Sequence, residues 1–362
     1  MLKIEYLKDP TFSKEIISNI RKLIDEIGRK VKIMHVCGTH EHVICEYGLR
    51  SLLPQNLELI AGPGCPVCVC PAADIDKAIE IAKKPNVILT TFGDMIRVPS
   101  SRNSLLRQKA MGSDIRIVYG PNEAVKIAKE NPDKEIVFFS VGFETTAPLT
   151  AFEIYSDPPE NFSVICSLRL IPPSMELIVG LPDVMVDGFI IPGHVAAIIG
   201  VKSFESFSNI YRYPGVICGF EPNDILISIF LILKQIRNKE YKTINEYSRI
   251  VKYEGNLKAE ELLNNVFEIT ISNWRGIGRI LNGGYKIRQK YSKYDALKKF
   301  EVEVQDSLDI PLGCSCHLVL IGKIRPDECK LFGRSCTPIN PIGPCMVSSE
   351  GTCRIAFMFK KD

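Results

Sequence analysis

The chain has 362 residues, of which 45 are Lys or Arg and 42 are Asp or Glu, so its formal net charge is +3. This length predicts two or three domains, and a hydrophobic fraction of 46% is typical of a globular protein with buried cores. The near balance of charge argues against a nucleic-acid or membrane partner. The N-terminus has no apolar core of the signal-peptide type, and the longest apolar run, 225–233, is too short to span a bilayer. We therefore expect a cytoplasmic protein.

A predicted helix over residues 11–29 is followed by a repeated unit, in which a short aliphatic run ends in a loop that contains Gly or Pro. Segments 72–84 and 122–130 carry apolar residues on one helical face and lie between such runs. Short apolar strands that alternate with helices indicate parallel βαβ units. The runs that predict strands are 31–36, 57–61, 86–91, 114–119, 135–141, 162–168, 186–191 and 215–220.

Eight such strands favour an α/β fold with two similar open parallel-sheet domains around a cleft, and a closed eight-stranded barrel is the alternative. We assign residues 1–120 to the first domain, 121–222 to the second and 223–362 to a third region. The third region begins with an apolar helical stretch over 223–252 and contains a predicted basic amphipathic helix with a solvated face over 285–300. It ends in a smaller Cys-rich domain.

Four unusual motifs follow predicted strands directly: CGTHE (37–41), GPGCPVCVC (62–70), GFETT (142–146) and PGHV (192–195). Because functional loops lie at the carboxyl ends of parallel strands, these four loops can converge on one cleft. Their reactive residues, which we take as the candidate site, are Cys37, His40, Glu41, Cys65, Cys68, Glu144 and His194.

The chain holds 13 cysteines, and clustered cysteines in a reducing compartment indicate metal or redox chemistry. Cys65 and Cys68 form a CxxC, a spacing that lets two thiols close a disulfide, and the helix predicted to start near Ala72 can lower the pKa of the attacking thiol. The third cysteine of the cluster, Cys70, receives no role. The spacing C-x2-C-x-C does not match the C-x3-C-x2-C of radical-SAM enzymes.

Two other functions remain open for these loops. One is a stand-alone thiol/disulfide oxidoreductase that uses the CxxC. The other is a zinc-dependent hydrolase, whose ligands would be Cys37, His40 and His194, with Glu41 or Glu144 as the base. His35 and His42 flank the first loop, and their alternation with His40 predicts structural roles.

The last six cysteines lie in a segment rich in Pro and Gly, which must be held together by something other than long helices. Wide spacing favours an iron–sulfur cluster over zinc, because structural zinc usually takes paired ligands separated by a short spacer. An unliganded core is the third alternative. The predicted cluster ligands are Cys314, Cys329, Cys336 and Cys353, with Cys316 and Cys345 as alternates. Cys166 and Cys218 lie singly in apolar runs and are interpreted as buried small hydrophobes.

The motifs together resemble the HypD family of hydrogenase maturation proteins, and the resemblance spans essentially the whole chain. It rests on CGTHE, GPGCPVC, GFETTAP, PGHV, GFEP and the tail CTPINPIGPCMVSSEGTC (336–353). The resemblance implies two α/β domains around a cleft and a third domain with a [4Fe–4S] cluster. It also implies a scaffold on which the Fe(CN)2CO unit of [NiFe]-hydrogenases is assembled, with a HypC-like chaperone as partner and cyanide from a HypE-like donor.

Site roles also follow from the resemblance. It implies that Cys37 holds the iron together with a cysteine of the HypC-like partner, and that Cys65 and Cys68 form a redox pair linked to the cluster. We expect the four remaining polar residues of the loops to surround the iron ligands without binding the metal: His40, Glu41, Glu144 and His194. The sequence has no GxxxxGK[ST] phosphate-binding loop, so it gives no support to ATP hydrolysis.

Overall fold

The computed structural model describes residues 4–101, 103–304 and 307–360, and its strands form two parallel sheets and one antiparallel hairpin. The strands are β1 (Val31–His35), β2 (Leu57–Ala61), β3 (Val87–Thr91), β4 (Asp114–Ile117), β5 (Glu135–Gly142), β6 (Phe162–Leu168), β7 (Gly188–Pro192), β8 (Gly215–Cys218), β9 (Thr243–Asn245), β10 (Phe267–Trp274) and β11 (Gly278–Ile287).

Helices connect and cover these strands. They are α1 (Pro10–Ile27), α2 (Gly38–Glu46), α3 (Leu49–Leu52), α4 (Pro66–Val69), α5 (Ala72–Ala82), α6 (Leu105–Ala110), α7 (Pro121–Glu130), α8 (Ala147–Tyr155), α9 (Ile171–Val179), α10 (Gly193–Ile199), α11 (Lys202–Tyr211), α12 (Pro222–Asn238), α13 (Leu257–Val266), α14 (Ala296–Phe300), α15 (Cys316–Leu320) and α16 (Thr352–Met358). Short 3-10 helices occur at Ile4–Lys8, Gly93–Arg97, Gln289–Tyr294, Pro326–Glu328 and Pro344–Met346.

Sheet A has the strand order β2-β1-β7-β8-β9, and sheet B has the order β4-β3-β5-β6; every pairing in both is parallel. The expected fold class, α/β with two open parallel sheets, is confirmed, and the barrel alternative is wrong. The strand that precedes His194, β7, pairs with β1, the strand before Cys37, although more than 150 residues separate the two strands in sequence.

The expected domain boundaries do not match the sheets. Sheet A takes β1 and β2 from the predicted first domain, β7 and β8 from the second and β9 from the third region. Sheet B likewise takes strands from both sides of residue 120. The physical reason is that the chain leaves sheet A after β2, completes sheet B and then returns to add three strands beside β1.

Helices α1 and α12 pack together on sheet A. Helix α1 begins where the Asp9 carboxylate accepts a hydrogen bond from the Thr11 N–H at 2.8 Å, and it ends at Gly28, whose φ of 68° is left-handed. Residues Ile20, Ile24 and Leu233 belong to the buried cluster between the two helices and the sheet. The apolar run 225–233 is therefore a buried helix, as predicted. In the part of the chain that the structure describes, no helix is long and apolar enough to cross a membrane.

The segment 285–300 is not the single amphipathic helix that its charge pattern predicts. It continues β11 as far as Ile287, passes through a 3-10 helix and ends in the short α14. The reason is a period of two: Ile287 is buried and pairs with Phe267 of β10, whereas Lys286 is exposed. The hairpin of β10 and β11 packs into the core through Trp274, whose indole N–H donates to the Gly283 carbonyl at 2.9 Å.

Candidate functional site

Cys37 lies where β1 ends and α2 begins, in contact with the loop that carries the CxxC. Cys37 is partly exposed and directly precedes the first turn of α2. A Cβ added to Gly64 would lie 2.2 Å from the Cys37 backbone nitrogen, so only glycine allows this approach. The Gly38 N–H donates to the Gly64 carbonyl at 3.1 Å. The CGTHE and GPGC loops therefore meet backbone to backbone at the end of sheet A.

Burial raises the pKa of the Cys37 thiol to about 11, although the backbone N–H groups of His40 and Thr39 act in the opposite direction. The free thiol is therefore protonated at neutral pH. A metal ion that binds there must displace this proton, so binding becomes tighter as the pH rises.

His40 and His194 both stack on one aromatic ring, that of Phe220. The ring centroids of His40 and Phe220 are 4.7 Å apart, and those of His194 and Phe220 are 3.8 Å apart, with both pairs stacked. His194 is exposed and follows β7, and Phe220 follows β8. The structure thus brings together the predicted residues Cys37, His40 and His194, because β1, β7 and β8 are neighbours in sheet A.

His40 is a fully buried neutral imidazole with one free acceptor. Burial lowers its pKa to about 3, and its Nε2 lies 2.8 Å from the Gly219 carbonyl. A carbonyl can only accept, so Nε2 carries the proton and Nδ1 carries a lone pair. Nδ1 is buried and has no hydrogen-bond partner among the described residues. Because its pKa is so low, the neutral ring can accept one hydrogen bond, but not a proton, at neutral pH beside the Cys37 loop.

Glu41 is held in a buried ion pair. Arg50 reaches it from the surface with Nη2 at 2.6 Å from Oε2, and His35 Nε2 lies 2.7 Å from the same oxygen. Burial alone would raise the pKa of Glu41, but Arg50 and His35 hold it at about 2. The other His35 nitrogen, Nδ1, lies 3.2 Å from the Cys37 carbonyl. Glu41 therefore orients a histidine that contacts the Cys37 backbone.

His35 and Arg50 were not among the predicted site residues. Only the position of His35, two residues before Cys37 at the end of β1, could have drawn attention to it. Arg50 gives no signal, because its pairing with Glu41 depends on how α2 and α3 pack against each other.

Glu144 lies at the end of β5 in sheet B, and its contacts are with α9. Its Oε1 accepts a hydrogen bond from the Ile171 N–H at 2.9 Å, and its buried Oε2 has no partner. Burial raises the pKa of Glu144 to about 8, so it is a neutral acid at pH 7. This hydrogen bond does not involve the Cys37 loop, whereas helix α4, which carries Cys68, contacts β5, the strand that Glu144 follows. The grouping of Glu144 with the other loops stays a prediction.

Cys65 and Cys68 are joined in a disulfide in this structure. Cys65 precedes α4 and its sulfur accepts a hydrogen bond from the Cys68 N–H at 3.2 Å. The two side chains are only 2% and 0% exposed. Helix α4 packs against the 3-10 turn Pro344–Met346, which carries a tail cysteine. The disulfide thus lies between the Cys37 loop and the tail.

The last six cysteines of the sequence, here called the tail cysteines, line one small pocket. They are Cys314, Cys316, Cys329, Cys336, Cys345 and Cys353.

The backbone around the pocket accommodates the cysteine sulfur atoms closely. A Cβ on Gly343 would lie 2.6 Å from Cys314 Sγ, and the Cys336 sulfur accepts a hydrogen bond from the Ile342 N–H at 3.4 Å. A thiol-rich donor set with backbone N–H groups directed at sulfur fits an iron–sulfur cluster. Among the described residues, no group of three His, Cys, Asp or Glu side chains is already arranged around a metal position.

Comparison with known proteins gives matches over nearly the whole chain. A family model named HypD, described as the hydrogenase formation hypA family, matches residues 11–360. A chain of Methanocaldococcus jannaschii named for hydrogenase expression and formation is 46% identical, over 98% of this chain and 99% of that protein. The hydrogenase maturation factor HypD2 of Bradyrhizobium diazoefficiens is 44% identical, over 94% and 93% of the two chains. The hydrogenase maturation factor HypD of Azotobacter vinelandii is 42% identical, over 98% and 95%.

Proposed function

The chain belongs to the HypD family and is a hydrogenase maturation factor, and from this membership and its site we propose that it is the scaffold on which the Fe(CN)2CO unit is assembled. The iron is the cargo. The observation that carries this proposal is the convergence of Cys37, His40 and His194 at one end of sheet A, with a dithiol pair in the adjacent loop.

Cys37 is the proposed iron ligand of this chain. It is the partly exposed thiol of the site, whereas Cys65 and Cys68 are buried, so a second thiolate can approach the metal only from the side of Cys37. We assign that second thiolate to a HypC-like chaperone and the supply of cyanide to a HypE-like protein. Nδ1 of His40 would accept a hydrogen bond beside the iron, and His194 would stand at the exposed side of the same site.

The buried cysteines are proposed to supply electrons. Cys314, Cys329, Cys336 and Cys353 would hold a [4Fe–4S] cluster, and such a cluster transfers single electrons when bound. Reduction of the Cys65–Cys68 disulfide to two thiols takes up two electrons, which a low-potential electron donor must provide in two one-electron steps, and two protons, which come from solvent. The packing of α4 on the turn Pro344–Met346 supports a short path between these two sulfur sites.

The contacts argue against the two alternatives. A stand-alone oxidoreductase needs a disulfide that protein substrates can reach, and both sulfurs here are buried. A zinc hydrolase needs a free carboxylate base beside the metal. Glu41 is committed to Arg50 and His35, and Glu144 caps α9.

Infrared spectroscopy of the protein purified with its HypC-like partner tests the proposal. We expect bands of iron-bound cyanide and carbon monoxide in the wild type, and their loss in Cys37→Ala. Cys166→Ala is the matched control, because Cys166 lies in β6 and its sulfur contacts the Tyr285 carbonyl, so the bands should persist. A Cys37→Ala complex that keeps both sets of bands refutes Cys37 as the ligand.

A further inference from the structure

The turn between β10 and β11 inserts an arginine between the two sulfur sites. The backbone N–H of Arg275 donates to the carbonyl of Val69, the residue that follows Cys68, at 2.8 Å. On the other side, its Nε donates to the Asp309 carbonyl at 2.6 Å. Arg275 is therefore fixed between the CxxC helix and the start of the tail.

Among the described residues, the guanidinium of Arg275 forms no ion pair. The residue is 0% exposed, and neither Nη1 nor Nη2 has a hydrogen-bond partner in that part of the chain. The nearby carboxylates are engaged elsewhere: Asp309 accepts from the Ala72 and Gly276 N–H groups, and Asp74 pairs with Arg169. Arginine cannot shed its proton in a protein, so it cannot escape this burial by becoming neutral.

A buried cation without a partner costs several kcal/mol, and folded proteins pair such charges. No described carboxylate forms an ion pair with this guanidinium, so the candidate counter-anion is the sulfur-lined tail pocket. Gly276, the next residue of the turn, lies against His317, the neighbour of Cys316. The turn that carries Arg275 thus packs beside the tail pocket.

We propose that Arg275 is the counter-cation of the iron–sulfur site formed by the tail cysteines, and that it raises the reduction potential of that site. This inference rests on the proposed function, since it requires the cluster. Reduction adds one negative charge, and a fixed cation in a water-excluded place stabilises the reduced form more than the oxidised form. Arg275 would thereby set the potential at which electrons become available to the Cys65–Cys68 pair.

The test is a redox titration of full-length, anaerobically purified protein, followed by electron paramagnetic resonance of the reduced cluster. In Arg275→Gln we expect the reduction equilibrium to become at least tenfold less favourable, a negative shift of about 59 mV for one electron. Arg334→Gln is the matched control. It removes the same charge from an exposed position of the tail, where water screens it, and should leave the potential unchanged.

The outcomes separate this inference from the proposed function. A wild type without a [4Fe–4S] signal refutes the cluster and, with it, the anion that Arg275 would face. A cluster of equal potential in wild type and Arg275→Gln overturns the role of Arg275 alone. If Arg275→Gln does not fold, Arg275→Lys decides the matter: a folded protein with the wild-type potential supports charge compensation. Failure of the lysine variant to fold, or a shifted potential in it, shows that shape and not charge is required.

Discussion

Replacement of Glu41 by Gln tests the buried ion pair behind the Cys37 loop. The substitution keeps the size of the side chain but removes the charge that Arg50 and His35 contact at 2.6 and 2.7 Å. The pKa of Glu41 falls from its ordinary 4.5 to about 2 in the folded protein. At 1.36 kcal/mol per pKa unit, this difference corresponds to about 3 kcal/mol of folding free energy at neutral pH.

The pH dependence of this effect has a definite sign. Because the folded pKa lies below the unfolded one, the carboxylate stabilises the fold fully above pH 4.5, and this contribution is lost as the pH falls towards 2. The free energy of unfolding, measured by urea titration with circular dichroism, should therefore differ between wild type and Glu41→Gln by about 3 kcal/mol at pH 7. The difference should shrink steadily below pH 4.5.

Glu46→Gln is the control for this experiment. Glu46 lies on the same helix, α2, but its side chain is 48% exposed and its contact with His42 is 3.8 Å long. Exposed pairs of this kind contribute about 0–1 kcal/mol. Equal stability losses in the two variants, or a Glu41→Gln loss that does not change between pH 7 and pH 3, would show that the buried pair is not the source of the stability.

Three further predictions concern the other buried groups. Glu144→Gln should stabilise the protein, because a carboxyl with a folded pKa of about 8 destabilises the native state increasingly above pH 4.5. The free energy of unfolding, measured in urea, should rise by about 3 kcal/mol at pH 7. A fall in this free energy would contradict the buried neutral acid. Gly343→Ala places a methyl group against a thiol of the tail pocket and should lower the iron content per chain. Gly93→Ala is the control, because its added methyl group would lie 3.6 Å from its nearest neighbour, and its iron content should not change. Equal iron contents in the two variants would refute this packing argument. In protein that is denatured and alkylated without reductant, Cys65 and Cys68 should both escape alkylation and their peptide should have the mass of the disulfide form; alkylation of the two thiols would disprove the pairing.

Local patterns predicted the elements of this fold well. Aliphatic runs gave the parallel strands, and the residues after those runs gave the loops at the strand ends. The hydrophobic pattern failed over 285–300, where a basic amphipathic segment is compatible with a helix or a strand. Its first residues alternate in burial and pair with β10, so they form a strand. A hydrophobic pattern predicts which residues are buried, but it does not show which neighbouring element buries them.

Sheet membership could not be predicted in the same way. Which strand lies beside β1 depends on the packing of helices far apart in sequence, and the chain inserts all of sheet B between β2 and β7. For the same reason the sequence grouped Glu144 with His194, although the first follows a strand of sheet B and the second a strand of sheet A. Arg275 is unremarkable in sequence, since only the insertion of its turn into the core makes it a buried cation.

The pairing of β1 with β7 and of β7 with β8 has a consequence for the proposed assembly. It places three loops side by side on one sheet, and of their residues Cys37 is partly exposed, His194 is exposed and His40 is buried. The disulfide is buried, and helix α4 packs against the turn Pro344–Met346 of the tail. In the proposed assembly, iron, its ligands and a partner chain would therefore reach Cys37 from outside, whereas electrons would reach the disulfide through the protein. The proposed cargo would then exchange at Cys37 without exposing the buried sulfur sites to solvent.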